Sequence, residues 1–255
     1  MTYAERLTLA RTRLRAARHV AVLTGAGISK ASGIPTFRDA DGAWQHVDPH
    51  TFLTAQNFQA HPAEVWAWHL AKYRLARAAE PNSGHRALTT LETQVLTAQP
   101  GATFTVVTQN IDGLHQRAGN ANVLNLHGSV HEARCERCEV AFALPDPDEL
   151  GTVIHCPACG RISRPQVVWF SELLDPEVLG AATRAFERAD VTLVIGTSAL
   201  VYPAANLPRL TSREGGVVIE INPDVTDLTA SCDLSLRCGA HEGLTLLLGL
   251  LGNAP

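Results

Sequence analysis

Short, uniformly apolar runs rich in β-branched residues alternate along this chain with longer stretches where apolar and charged positions are mixed. His19–Thr24 (HVAVLT), Thr103–Thr108 (TFTVVT), Val123–Leu126, Gln166–Phe170 (QVVWF), Val191–Gly196 (VTLVIG) and Val217–Ile221 (VVIEI) read as strands. Most are too short and too evenly apolar to keep one face in water, so they predict a parallel sheet covered on both sides. The mixed stretches predict helices over Met1–Arg18, Pro62–Ala79, Ser83–Ala98 (with Ser83 as its cap), Pro176–Ala189, Ala204–Ser212 and Gly243–Leu251. Strand and helix in alternation imply an α/β, doubly wound sheet with right-handed crossovers.

Two segments interrupt this alternation. Asp39 to Glu80 is long, rich in His and Trp, and helical in its second half; Arg134 to Arg164 carries four cysteines and three prolines. Both read as insertions that together build a smaller lobe. The predicted division is residues 1–40, 84–133 and 165–255 for the main domain, with 41–83 and 134–164 forming a small helical and metal-binding lobe. No internal repeat or low-complexity tract is visible.

Composition narrows the class. The 255 residues are 45% hydrophobic and 18% charged, a globular balance. The formal net charge of -4 gives no electrostatic reason to expect nucleic acid or a membrane surface as a partner. No apolar run reaches the roughly 18 residues that a bilayer-spanning helix needs. Met1–Arg18 is charged throughout and reads as an amphipathic surface helix rather than a secretory signal, so the expected location is the cytoplasm and the expected state a monomer.

Candidate chemistry collects at predicted strand ends. The first strand runs into Gly25-Ala26-Gly27-Ile28-Ser29 and then Gly33-Ile34-Pro35-Thr36-Phe37-Arg38. A glycine-rich turn between strand and helix lets backbone approach a pyrophosphate, the expected context of a dinucleotide site. It is not the hydride-transfer fingerprint: the third glycine comes late, and no acidic residue ends a second strand about 20 residues on. The second strand opens into Gln109-Asn110-Ile111-Asp112, whose amide and carboxylate ends suit a carboxamide and ribose hydroxyls. The third ends at His127-Gly128, an imidazole at the same edge. Gly196-Thr197-Ser198 and Asn222-Pro223-Asp224 complete that edge and suit the adenosine half of a dinucleotide.

Cys135-x-x-Cys138 and Cys156-x-x-Cys159 stand 17 residues apart. Two thiolate doublets on tight turns make a closed tetrahedral zinc site, structural because it leaves no open coordination position. His155 is a competing ligand by adjacency, though the sulfur set is complete without it. Cys232 and Cys238 fall outside any such spacing and read as small core or loop residues.

Taken together, Gly25–Arg38 (GAGISKASGIPTFR), Gln109–His115 (QNIDGLH), His127-Gly128, the two cysteine doublets, Val168-Trp169-Phe170 and Gly196-Thr197-Ser198 resemble the sirtuin family of NAD-dependent protein-lysine deacylases, in the family's order and over nearly the whole chain. The resemblance implies a Rossmann-like NAD domain, a smaller zinc-bearing lobe, and an acyl-lysine protein substrate entering between them. NAD would be consumed as a co-substrate, releasing nicotinamide and O-acyl-ADP-ribose. By the same resemblance, Gly25, Ala26 and Gly27 would contact the phosphates and Phe37 and Arg38 would lie near the reacting ribose, with Ile28, Ser29, Pro35 and Trp44 also in the cofactor site. Gln109, Asn110, Ile111 and Asp112 would bind the nicotinamide and its ribose. Gly196, Thr197, Ser198, Asn222, Pro223, Asp224 and Ala240 would hold adenosine. His127 would be the general base, with Asn110 as a second catalytic residue. Val167–Glu172, including Val168, Trp169 and Phe170, would pair with substrate backbone by strand addition.

The chain also departs from the family pattern. Members that remove succinyl or malonyl groups carry a Tyr-x-x-Arg pair; here the corresponding positions are His69 and Lys72, which share a helix face and are the candidate acyl-site residues. Lys72 lacks the bidentate fork that suits a carboxylate, so deacetylation is expected ahead of desuccinylation or demalonylation. Ser171 stands where the family usually has glycine. The alternative enzyme is a mono-ADP-ribosyltransferase using the same NAD site. A non-enzymatic zinc-ribbon module is disfavoured, because acidic residues offset the arginines around the cysteines and aromatics are nearly absent there.

Overall fold

The computed structural model describes residues 1–36, 48–170 and 172–249. In chain order the strands are β1 (His19–Thr24), β2 (Thr103–Thr108), β3 (Val123–Asn125), β4 (Gly128–Cys135), β5 (Ala141–Ala143), β6 (Ser163–Val167), β7 (Val191–Ile195), β8 (Val217–Ile221) and β9 (Leu234–Leu236). The helices are α1 (Tyr3–Ala16), α2 (Pro49–Phe52), α3 (Ala55–Ala60), α4 (Pro62–Ala78), α5 (Ser83–Ala98), α6 (Leu114–Ala118), α7 (Pro176–Arg188), α8 (Leu207–Arg213) and α9 (Ala240–Leu248).

Six strands form one wholly parallel sheet in the order β3-β2-β1-β7-β8-β9. The predicted doubly wound class is the observed one. The chain builds outward from β1 to β3, then returns to lay β7 against the other side of β1. That reversal opens the crevice where α/β sheets take ligands. One face is covered by α1, α5 and α9, whose Leu14, Leu88, Leu91, Leu244 and Leu247 pack on Val22, Val106, Leu193 and Ile219. The other face meets α7 and α8 through Phe186 and Leu207.

Gln166–Phe170 does not join this sheet. Only its first two residues are strand, in β6, which runs antiparallel to β4 in a separate three-stranded sheet ordered β5-β4-β6. An apolar run reports burial rather than a partner, and here the burial comes from helices. Trp66, Leu70 and Tyr73 of α4 and Phe58 of α3 share a core with Val130, Ala133, Val167 and Trp169. Trp66 donates from Nε1 to the Ser163 carbonyl at 2.8 Å, fixing helix to sheet. Removing so large a buried ring costs about 3–5 kcal/mol.

The cap of α5 is Asn82, not Ser83: its Oδ1 accepts from Gly84 N at 2.8 Å. Its Nδ2 donates to the Ile28 carbonyl at 2.8 Å and to Ser32 Oγ at 2.9 Å. One side chain therefore starts a helix and pins the glycine loop.

Candidate active site

A cavity of about 890 Å³ lies along the carboxyl ends of the parallel strands, with the β6 exit and α4 on its far side. Its wall contains the exits of β1 (Gly25, Ala26, Gly27), β2 (Gln109, Asn110, Ile111), β3 (His127), β7 (Gly196, Thr197, Ser198), β8 (Asn222, Pro223, Asp224) and β9 (Ala240). Val168, Trp169, Phe170 and His69 face it from the other side.

The exits are tied to one another. Gly25 N donates to Ile195 O at 3.0 Å and Gly27 N to Gly196 O at 2.9 Å. Gly196 has φ +57, and a Cβ on it would lie 2.7 Å from Ile28 N. Glycine is needed here so that the β1 and β7 loops can pack backbone on backbone. Asn110 Nδ2 donates to Gly25 O and to Ser29 Oγ, both at 3.1 Å, and Ser29 Oγ donates to Asp112 Oδ2 at 2.7 Å. Gln109 Nε2 donates to Thr197 Oγ1 and Asn222 Nδ2 to Thr197 O, both at 2.9 Å. The exits of four strands, β1, β2, β7 and β8, thus form one hydrogen-bonded rim.

His127 is half-buried at this rim. Its Nδ1 lies 3.0 Å from the Gln109 carbonyl. A carbonyl only accepts, so Nδ1 carries the proton and Nε2 keeps its lone pair, the tautomer a general base requires. Burial lowers the imidazole pKa below its ordinary 6.5, opposed by that backbone bond. The ring is therefore neutral and basic at pH 7. Val168 N donates to His127 O at 3.0 Å. This crossing needs Gly128 (φ +80), where a Cβ would lie 2.1 Å from Gln166 O.

His69 presents the opposite case. It is fully buried, its Nε2 accepts from Trp169 Nε1 at 3.3 Å, and desolvation holds its pKa at about 3, with the Arg164 and Lys72 charges acting the same way. Trp169 is in turn clamped. Arg164 lies 3.6 Å over its ring and grips Glu172 through both nitrogens, at 2.5 and 2.8 Å, while Glu172 Oε2 accepts from Trp169 N at 2.9 Å.

The four cysteines converge away from the strand exits. Cys135 and Cys159 Sγ are 3.5 Å apart, as are Cys138 and Cys156, and all four lie within 4.8 Å of one another. Thiolates about 2.3 Å from a tetrahedral zinc are about 3.8 Å apart, so this set fits the metal. His155 is exposed and outside the cluster. Cys238 and Cys232 pack partly buried against the apolar clusters of the parallel-sheet unit.

The profile of the Sir2 family matches residues 25–203. The chain belongs to the Sir2 family. It is 50% identical to a Thermus thermophilus protein named NAD-dependent protein deacylase over 244 residues, covering 96% of this chain and 94% of that one. A Deinococcus radiodurans protein of the same name is 49% identical, covering 95% and 98%. Among solved structures, a Sir2 homolog–NAD complex superposes with a TM-score of 0.87 at 41% identity, covering 96% of this chain and 93% of that chain.

Within this Sir2 chain, several expected ligand contacts are not on the cavity wall. Ile28, Ser29 and Asp112 are buried behind it: Ile28 packs in the main core, and Ser29 and Asp112 spend their polar atoms on each other and on the loop. Pro35 is also off the wall, where its neighbour Thr36 stands instead. Lys72 is off the wall too; its ammonium sits 5.3 Å over the Trp68 ring, and burial lowers its pKa. Of the expected pair, only His69 reaches the cavity, with Trp68 beside it. Phe37, Arg38, Trp44 and Ser171 lie outside the described residues. The sequence reading missed Leu200, Tyr202 and Val225, all on the wall and all exposed. Their signal was available: large apolar residues in strand-exit loops, where solvent alone would not favour them.

Proposed function

We propose that this protein is an NAD-dependent protein-lysine deacylase in which His127 is the general base. Supporting this reading, the strand exits of a Sir2-family sheet meet around one cavity, and His127 offers it a neutral imidazole with a free Nε2. The dinucleotide lies along the rim: its phosphates at Gly25–Gly27, its nicotinamide ribose near Gln109 and Asn110, and its adenosine near Ser198, Asn222 and Ala240. Asn110, Ser29 and Asp112 act as one hydrogen-bonded unit, so Ser29 and Asp112 position Asn110 rather than touch the dinucleotide.

The acyl oxygen of the substrate attacks the ribose carbon bearing nicotinamide, and nicotinamide leaves with the bonding pair. His127 Nε2 then takes the proton of a ribose hydroxyl, whose oxygen attacks the acyl carbon. Addition of water and departure of the lysine amine leave the acyl group on ADP-ribose. The peptide pairs as a strand beside Val167–Phe170 and presents its acyl-lysine between Trp169 and the rim. The main domain comprises residues 1–40, 84–133 and 165–255, its borders crossing the antiparallel sheet within β4 and β6, and the smaller lobe would carry zinc on Cys135, Cys138, Cys156 and Cys159.

For the acyl group, we propose acetyl over succinyl or malonyl. No arginine lines the cavity among the described residues, His69 is neutral, and Lys72 faces Trp68. A carboxylate there would lose hydration without a fork to replace it. Acetyl- and succinyl-lysine peptides incubated with NAD test both levels, followed by nicotinamide release and the mass of the nucleotide product. O-acetyl-ADP-ribose formed faster than its succinyl counterpart is expected. An ADP-ribosylated macromolecule in place of O-acyl-ADP-ribose would instead indicate a transferase.

A further inference from the structure

Glu220 has no exposed surface, and it sits inside β8 between Ile219 and Ile221, one strand in from the β9 edge of the parallel sheet. A carboxylate in such a place is strongly destabilising unless every lone pair is met. Here each is. Oε2 accepts from Arg237 Nη2 at 2.8 Å, from Thr229 Oγ1 at 2.8 Å and from Ser235 Oγ at 3.1 Å. Oε1 accepts from Thr226 Oγ1, and Thr229 Oγ1, whose single proton the two carboxylate oxygens share, stands 3.1 Å from it.

Two of its partners, Thr226 and Thr229, belong to the loop that follows β8; Ser235 lies in β9 and Arg237 just beyond it. Thr226 N donates to Thr229 Oγ1 at 2.8 Å, and Leu228 N donates to Thr226 Oγ1 at 3.2 Å. Arg237 donates from Nη1 to the carbonyls of Asn222 at 3.2 Å and Asp224 at 2.6 Å. The same loop, through Asn222, Asp224, Val225, Thr226 and Asp227, forms one end of the cavity. The loop has one buried apolar anchor, Leu228, against Val194 and Val218, while Val225 is exposed, so the placement of 222–227 falls to polar contacts. The buried carboxylate supplies that definition.

We infer that Glu220, with Arg237, is a positioning residue that pre-organises the 222–229 loop for the adenosine end of the dinucleotide without touching it. This rests on the proposed binding of NAD along the rim. It assigns the network to nucleotide affinity, separate from the chemistry at His127 and from the peptide strand. In Glu220→Gln one acceptor becomes a donor facing hydroxyls and a guanidinium, so the loop samples other arrangements and binding must reselect the native one.

The test compares wild type and Glu220→Gln by calorimetry with ADP-ribose and by steady-state kinetics with an acetyl-lysine peptide. The expected result is roughly tenfold weaker ADP-ribose binding and an equal rise in KM for NAD, the size of effect that lost pre-organisation produces. The kcat and the peptide KM stay within about twofold. If Glu220→Gln does not fold, Thr229→Val removes the hydroxyl that donates to Glu220 and accepts from Arg237 and Thr226 N, keeps the Glu220–Arg237 pair, and gives a smaller shift in the same parameters. ADP-ribose affinity equal to wild type in a folded variant overturns the assignment. A parallel fall in kcat and peptide affinity overturns it in favour of general destabilisation. Wild-type protein that fails to bind ADP-ribose overturns the proposed function itself.

Discussion

The two sheets contribute to one cavity but are held together by different means. The parallel sheet rests on a continuous apolar cluster drawn from six strands and three helices, and its rim is backbone and short polar side chains fixed by that packing. The antiparallel sheet has only three strands, a separate core shared with α3 and α4, and four thiols clustered at one end. A small sheet with so little interior relies on a staple. On the proposed function, the half that holds nucleotide would stand alone, and the half that holds substrate would depend on zinc at the four cysteines.

Chelation should separate the two halves most sharply. Structural zinc of this kind contributes about 10–16 kcal/mol of apparent binding energy that is also folding energy. Zinc-free protein should lose amide protection across 128–167 and lose acyl-peptide binding, while still binding ADP-ribose. Hydrogen exchange with calorimetry reads both, and unchanged stability in verified zinc-free protein would remove the distinction.

Next in size is His127→Ala. Turnover should fall by about 10²–10⁴ with nucleotide and peptide affinities preserved. In the wild type, kcat/KM should rise with pH through a value below 6.5 and then level off, because burial favours the neutral ring. An unaltered rate in the variant would transfer the base role elsewhere.

Acid stability is where the two halves should behave alike. His69 on the small side is held at about 3, and His85 and His115 on the large side at about 3 and about 4, each chiefly by burial. Folded values below the ordinary 6.5 mean the unfolded chain takes protons first. Stability is thus complete above about pH 6.5 and declines as pH falls toward 4, by about 1.4 kcal/mol per pH unit for each imidazole held neutral. Urea unfolding at several pH values measures the slope, and His69→Phe should reduce it by one imidazole's share. A pH-independent midpoint between 7 and 5 contradicts the assignment.

The smallest effect expected is at the clamp on Trp169. Glu172→Gln removes the ionic half of the Arg164 fork, worth about 1.5–3 kcal/mol in local hydrogen bonding. It should raise the peptide KM by roughly tenfold or less, with the KM for NAD unchanged. If the two Michaelis constants rise together, the clamp belongs to both halves and the contrast between them weakens.

The strands β1, β2 and β8 were legible to the residue because their runs are short, mostly apolar and rich in β-branched residues, as buried parallel strands are. The zinc set was legible because chelation by two tight turns is a local matter of spacing. The glycine loop, Gln109, His127 and Asn222 could be placed at one edge because each follows such a strand. β4, β5 and β9 were missed because their residues alternate or are too few to show a period. Gln166–Phe170 was misassigned because an apolar run does not name the surface that buries it.

The sequence by itself determined the sheet class, the residues that leave the strand ends and the four-cysteine cluster, all of which depend on local composition or short spacing. Only the tertiary structure decided which side chains reach the cavity. It placed His69 on the wall and Lys72 over Trp68, turned Ser29 and Asp112 inward, gave His127 its tautomer through the Gln109 carbonyl, and buried Glu220 under a loop it organises. Those outcomes depend on partners tens of residues away, and a side chain's protonation and direction follow from what surrounds it rather than from its neighbours in the chain.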